Sequence, residues 1–251
     1  IITLFPESFT SYLQESIIGR ALNEKKINVH FYDPRKYAPK ELKKKWPDGN
    51  VTVYADGRPF GGGPGMVLRA EPYIHAIEKA LATIEKRKTA AYKKIHIQAQ
   101  KQSLTLRQQR ALEKKATPKS HIVFFSPEGT MFTTDYAKKS VDTYTDIIFI
   151  CGRYEGIDAR VKKISKAEEI SIGDYVLTGG ELPAMVLIDS TMRQTAGFLG
   201  KTESIEENRN ASHEVYTRPE ILKYKSKNHK VPKVLLSGHH DNIEKWREAR
   251  K

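Results

Sequence analysis

Residues 171–184 read Ser171-Ile172-Gly173-Asp174-Tyr175-Val176-Leu177-Thr178-Gly179-Gly180-Glu181-Leu182-Pro183-Ala184. An apolar strand pattern, Glu168–Ile172, runs into this loop, and helical spacing from about 182 to 195 leads out of it. The same scheme occurs twice upstream. His121–Phe125 is an apolar strand followed by Ser126-Pro127-Glu128-Gly129 and a helical stretch at 132–141. Ile147–Cys151 is another, followed by Gly152-Arg153-Tyr154-Glu155-Gly156 and a helix through about 165. Strands alternating with helices predict an α/β fold with a parallel sheet, whose ligands sit beyond the carboxyl ends of the strands.

Ten of the 16 glycines fall in two windows, 57–65 and 152–180. They match neither a Gly-x-Gly-x-x-Gly turn nor a Walker lysine loop, which argues against a pyrophosphate held at a helix N-terminus. Such loops offer main-chain N–H and C=O groups, suited to a neutral base and ribose, and acidic side chains suited to a cation. Towards the N-terminus, 7–23 has helical spacing, Ile27–Tyr32 alternates like a strand, and 36–50 reads as a polar loop. Residues 51–65 end in Gly61-Gly62-Gly63-Pro64-Gly65 and predict no regular element, while 71–84 predicts a helix. The segment 85–120 holds no glycine and predicts a strand at 94–98 and a helix at 104–116. It reads as an insertion.

The chain has 251 residues and a formal net charge of +13. The excess is uneven, because 85–120 is strongly basic and 201–251 moderately so, while 121–200 holds more acids than bases. That asymmetry suggests a polyanionic partner gripped around a near-neutral core. A composition with 39% hydrophobic and 29% charged residues argues against disorder, and no apolar run is long enough to span a bilayer. One cysteine, Cys151, cannot form an internal disulfide, so the expected setting is cytoplasmic. The eight histidines lack zinc-ligand spacing and no metal ligands are assigned.

Five stretches together resemble one family. Phe5-Pro6-Glu7, Asp56-Gly57-Arg58-Pro59-Phe60-Gly61-Gly62-Gly63-Pro64-Gly65-Met66, Gly152 to Asp158, Ser171 to Ala184 and Tyr216-Thr217-Arg218-Pro219-Glu220 are similar to the bacterial tRNA (guanine-N1)-methyltransferases of TrmD type, in order from residue 1 to about 247. The resemblance implies a SPOUT-class α/β trefoil-knot domain over 1–200, carrying the 85–120 basic insertion. A linker at 201–215 and a small, mainly helical, shortened tRNA-binding domain at 216–251 follow. It also implies an obligate homodimer, S-adenosylmethionine bound in the knot, and methylation of guanosine at tRNA position 37, and it suggests magnesium. By the same resemblance the cofactor lies against Phe125, Ser126, Pro127, Gly152, Tyr154, Glu155, Ile172, Gly173, Asp174, Tyr175, Val176, Leu177, Gly179, Gly180 and Pro183.

Arg193 matches the family arginine that stabilises charge developing on guanine O6. The family's general base is an Asp, and its place here is Asn208, an amide with no useful basicity. Either Glu206 or Glu207 supplies the carboxylate, with Glu207 the nearer, or an introduced Asp-to-Asn change, or a weakened or altered activity, accounts for the difference. Asp56, Arg58, Gly61, Gly62 and Gly63, with Arg218, are the candidate tRNA contacts. Lys40, Lys43, Lys44, Lys45 and 227–233 are candidates for phosphate contacts. A non-catalytic RNA- or cofactor-binding protein and a ribose methylase are the competing readings. The second does not fit the Asp56–Met66 loop.

Overall fold

A computed structural model describes residues 1–195, 197–198 and 214–249. They belong to two compact units, Ile1–Phe198 and Leu199–Lys251.

In the first unit, a 3-10 turn at Pro6–Phe9 leads into α1 (Thr10–Gln14) and α2 (Ser16–Asn23). The continuous helix predicted over 7–23 is broken where Glu15 turns extended and Ser16 takes a positive φ. The strand predicted at Ile27–Tyr32 reduces to one parallel bridge, Tyr32 to Ile2. The predicted 36–50 loop contains β1 (Lys43–Lys45), which pairs antiparallel with β2 (Val51–Val53). β3 (Asp56–Gly57) then pairs with β4 (Val67–Leu68), so 51–65 is more regular than its glycines suggest.

α3 runs from Ala70 to Lys101, 32 residues, about 48 Å at 1.5 Å per residue. After Pro72 in its first turn it holds no glycine or proline, and Ala, Lys and Glu dominate its middle. The strand predicted at 94–98 is a segment of this helix. Its Ile95-His96-Ile97 alternation imitates a strand, but Ile95 and Ala99, four apart, are the buried positions. Ser103, at positive φ, ends the run, and a capping box of Thr105 and Gln108 starts α4 (Leu106–Ala116), which packs against α3. The segment 85–116 is therefore a helical hairpin.

β5 (Ser120–Met131), α5 (Thr134–Thr143), β6 (Asp146–Ile150), α6 (Ala159–Ser165), β7 (Glu168–Ser171) and α7 (Glu181–Arg193) complete the unit. The sheet is parallel in the order β6-β5-β7, and Ile2 extends it beyond Ile150. β5 is longer than the sequence pattern predicts. Its pairing with β7 is interrupted between Phe125 and Thr130 and then resumes, so Ser126–Gly129 form an excursion within a strand. Gly129 permits it, since a Cβ there would stand 2.6 Å from the Glu169 and Ile170 main chain.

The core joins sheet to α3. Ile2, Leu4, Ile148 and Ile150 pack with Tyr73, Ala76, Ile77 and Ala80, whose spacing lines one helix face. Alanines let α3 approach closely, and burying Ile77 alone stabilises by about 2–3 kcal/mol. Tyr73 is fully buried and donates its hydroxyl to the Cys151 carbonyl at 3.1 Å, which removes the cost of an unpaired polar group.

The described part of the second unit holds a hairpin of β8 (Ile221–Tyr224) and β9 (Lys227–Lys230), with α8 (Lys233–Leu236) and α9 (His240–Glu248). A strand hairpin thus accompanies helices among its described residues. No described helix is long and apolar enough to cross a membrane.

Candidate functional site

A cavity of about 220 Å³ lies at the carboxyl ends of β6 and β7, beside the excursion within β5. Its walls are the three loops singled out in the sequence. Phe125, Ser126 and Pro127 come from the β5 excursion; Gly152, Tyr154 and Glu155 follow β6; Ile172, Gly173, Tyr175, Val176, Leu177, Gly179, Gly180 and Pro183 follow β7. Asp174 alone of the candidate cofactor residues lies outside the lining. Arg153, which sequence reasoning passed over, is inside it. A larger cavity, about 420 Å³, sits around the amino end of β6, between α3, α5 and α7. It is remote from the strand ends where ligands of parallel α/β sheets bind, so the smaller cavity is the candidate site.

The β6 and β7 loops are joined by main-chain contacts. Gly180 N–H donates to the Gly152 carbonyl at 3.0 Å, and Arg153 and Gly179 form an antiparallel bridge. The approach is close enough that a Cβ on Gly180 would lie 2.7 Å from the Cys151 Cα. Beneath it Glu181 is only 3% exposed. Its carboxylate accepts the Thr3 hydroxyl at 2.7 Å and stands 3.0 Å from Arg153 Nε. That N–H is not directed at the oxygen, so the contact is an ion pair rather than a hydrogen bond. The Arg153 guanidinium also lies over the Phe5 ring, 4.7 Å from its centroid. Phe5 and Gly152–Arg153 thus belong to one assembly although 147 or more residues separate them in the chain. Burial pushes the nearby Cys151 thiol well up, which makes it a packing group rather than a nucleophile.

Tyr154 adopts a positive φ and is 59% exposed, and Val176 is 85% exposed, so the rim is apolar and uncovered. The Asp56–Met66 loop docks beside it. Leu68 N–H donates to the Gly156 carbonyl at 2.9 Å, Asp158 N–H to the Leu68 carbonyl at 2.9 Å, and Glu155 N–H to the Met66 carbonyl at 3.1 Å. Arg69 Nε–H holds the Asp56 carbonyl at 2.9 Å. Arg58, Gly61, Gly62 and Gly63 are exposed on the loop. Phe60 at its tip is fully exposed, an aromatic that sequence reasoning did not single out as a contact although its glycine-rich surroundings already marked a projecting loop.

Arg193 is not brought to the cavity. It ends the helix whose first turn lines the cavity, about 18 Å along the axis from Glu181. Arg218 is exposed in the second unit, and Glu206, Glu207 and Asn208 lie outside the described residues. Among the described residues no group of three or more His, Cys, Asp or Glu comes together that could hold magnesium or another metal ion.

The chemistry of this lining suits a nucleoside-bearing cation. Gly180 lies against the Cys151–Gly152 main chain and so joins the β6 and β7 loops, Phe125, Val176 and Leu177 supply apolar surface, and Glu155 offers the one carboxylate in the lining.

The family model described as tRNA (Guanine-1)-methyltransferase TrmD matches residues 1–112 and 104–251. The two matches overlap at 104–112, inside the basic hairpin. A tRNA (guanine-N(1)-)-methyltransferase of Buchnera aphidicola is 37% identical over 98% of this chain and 86% of its own length. Those of Ruminiclostridium cellulolyticum and Mycoplasma capricolum are 39% and 38% identical, over 98% and 99% of this chain and 88% and 84% of their own. With the glycine-rich cavity at the strand ends and a match along nearly its whole length, the chain belongs to the tRNA (guanine-N1)-methyltransferase family.

Proposed function

We propose that the protein transfers a methyl group from S-adenosylmethionine to N1 of guanosine at tRNA position 37, acting as a homodimer of knotted subunits. The observation that carries this is the joining of three strand-end loops into one cavity, lined by fourteen of the fifteen residues that the family resemblance assigns to the cofactor. The crossing of the β7 loop past the end of β5 to bond with the β6 loop supports a knotted path.

S-adenosylmethionine, when bound, supplies an electrophilic methyl group on a sulfonium. The chain's part is to align, deprotonate and stabilise. Main-chain groups of Gly152 and of 172–180 would hold the adenine edge and the hydroxyls, the Glu155 carboxylate would balance the cofactor's positive charge, and the Asp56–Gly63 loop, with Phe60 exposed at its tip, would contact the target base. Glu207 or Glu206 removes the N1 proton, and Arg193 stabilises the negative charge arising at O6.

Arg193 is too far along α7 to serve the cavity at the start of the same helix. Leu182, Val186, Asp189 and Arg193 follow one another at helical spacing on one face of α7, where Leu182 is 55% and Val186 45% exposed. Tyr12 on α1 hydrogen-bonds Asp189, and Tyr12 and Ile17 are themselves exposed. This supports a reading in which a second copy covers the stripe and each Arg193 serves its partner's cavity.

The test is nucleoside analysis of tRNA incubated with protein and S-adenosylmethionine. 1-Methylguanosine at position 37 is expected, and its absence under conditions where the cofactor binds overturns the reading in favour of a non-catalytic binding protein. Glu206→Gln and Glu207→Gln should identify the base, one of them flattening the alkaline rise of the pH–rate profile. If both keep full turnover, neither carboxylate is the base.

A further inference from the structure

The hairpin of α3 and α4 contributes nothing to the cavity, yet it carries most of the excess charge. Tyr73, near the start of α3, reaches Cys151 at the carboxyl end of β6, and Arg87 pairs with Asp146 at that strand's amino end. Beyond Arg87 the helix continues for 14 residues, so it projects about 20 Å past the sheet on the side away from the cavity.

Lys86, Lys93, Lys94 and Lys101 fall within about 100° of arc on α3, at 3.6 residues per turn, and span about 22 Å. All four are exposed, and among the described residues none is in an ion pair. On α4, Arg107, Arg110 and Lys114 form a second exposed row at i, i+3 and i+7. The hairpin's two acids are already engaged, Glu85 with Lys88 and Glu113 with His96. The buried positions Ile95 and Ala99 lie on the opposite face of α3 from the lysines.

We infer that this hairpin is a second RNA-docking surface, which grips phosphates of the tRNA away from the reacting base. The inference rests on the tRNA reading above. Charge complementarity selects the occupant: rows of unpaired cations with about 10 Å between Lys86 and Lys93 suit a phosphate backbone. An anionic membrane needs a continuous apolar face as well, and here only Ile97 and Leu106 are exposed large hydrophobics. The hairpin's aromatic rings are already engaged, since Tyr92 is half-buried and bonded to Thr117 and the exposed His96 ring is held by Gln109 and Glu113. It therefore reads phosphates rather than bases, and binds without sequence preference.

The experiment compares the full chain with the Lys86→Gln/Lys93→Gln/Lys94→Gln/Lys101→Gln variant and with Arg107→Gln/Arg110→Gln/Lys114→Gln. tRNA affinity is measured by fluorescence anisotropy from low to high salt, together with cofactor affinity and methylation kinetics. The expected result for the quadruple variant is a tRNA Kd raised about tenfold or more and a log–log salt slope reduced by about 3. Cofactor affinity and kcat should be unchanged and KM raised, since contacts remote from the reacting atoms bind ground state and transition state alike. A wild type that methylates tRNA, beside variants with the same Kd and slope, overturns the inference and leaves the proposed function standing. A wild type that neither binds nor methylates tRNA overturns both. Binding to phosphatidylserine vesicles that falls with the lysines, while tRNA binding does not, assigns the surface to membrane and overturns it too.

Discussion

Replacing Arg153 by Met keeps an aliphatic stem and removes the guanidinium that lies over Phe5 and stands opposite Glu181. Glu181 is 3% exposed and, among the described residues, would keep the Thr3 hydroxyl as its hydrogen-bond partner. Removing one member of a buried pair costs about 3–5 kcal/mol. The Arg153 side chain is 26% exposed, so solvent already screens the pair and about 2–3 kcal/mol is the better figure. Urea denaturation at fixed protein concentration measures it, and calorimetric titration of the cofactor measures how far the β6 and β7 loops have separated. Adding Glu181→Gln to the variant should recover at least about 1 kcal/mol, because an amide costs less to bury than an unpaired charge. A loss below about 0.5 kcal/mol for Arg153→Met, or a double variant no better than the sum of the single changes, would show that the pair does not hold the loops.

Gly180→Ala places a Cβ 2.7 Å from the Cys151 Cα, and since main chain must shift to relieve it, cofactor affinity should fall by one to two orders of magnitude while the fold melts within a few degrees of wild type; unchanged affinity in a calorimetric titration refutes the close-approach account. Mixing Arg193→Ala with Gly180→Ala should restore about a quarter of wild-type turnover, because each heterodimer has one site with both an intact arginine and an intact cavity; no recovery after subunit exchange would place Arg193 in its own subunit's site. Burial lowers the His121 pKa, against the opposing pull of Glu168. A histidine held below its unfolded value contributes stability above about pH 6.5 that is lost as pH falls through its folded value, so His121→Gln should flatten the decline in Tm between pH 6.5 and 5; an unchanged slope refutes it.

The parallel core was legible because β6 and β7 are short apolar runs between glycine-rich loops, and their ends fell within a residue or two of the pattern. The β5 excursion was not. Ser126-Pro127-Glu128-Gly129 has the composition of a turn, and only the Glu169 main chain against Gly129 shows that the strand resumes beyond it. The 94–98 error has a similar source: alternation over five residues cannot compete with an uninterrupted run of helix formers, in which the informative spacing was the four residues from Ile95 to Ala99. Most cavity residues were found through two of the five motifs, Gly152 to Asp158 and Ser171 to Ala184, while Phe125, Ser126 and Pro127 lie in none of them. The Arg153–Glu181–Thr3 contacts escaped because no local pattern links position 3 to position 181.

That last separation bears on how the enzyme is made. Thr3 and Glu181 lie 178 residues apart, and their contact braces the loops around the cavity. A chain emerging N-terminus first cannot assemble that brace until α7 has left the ribosome, when three-quarters of the sequence has already been synthesised. Contacts of such range form slowly, since a long loop must close before they return any stability. Cofactor capture during synthesis would therefore begin only after α7 is complete, and labelled S-adenosylmethionine could serve as a timer for the maturation of stalled nascent chains.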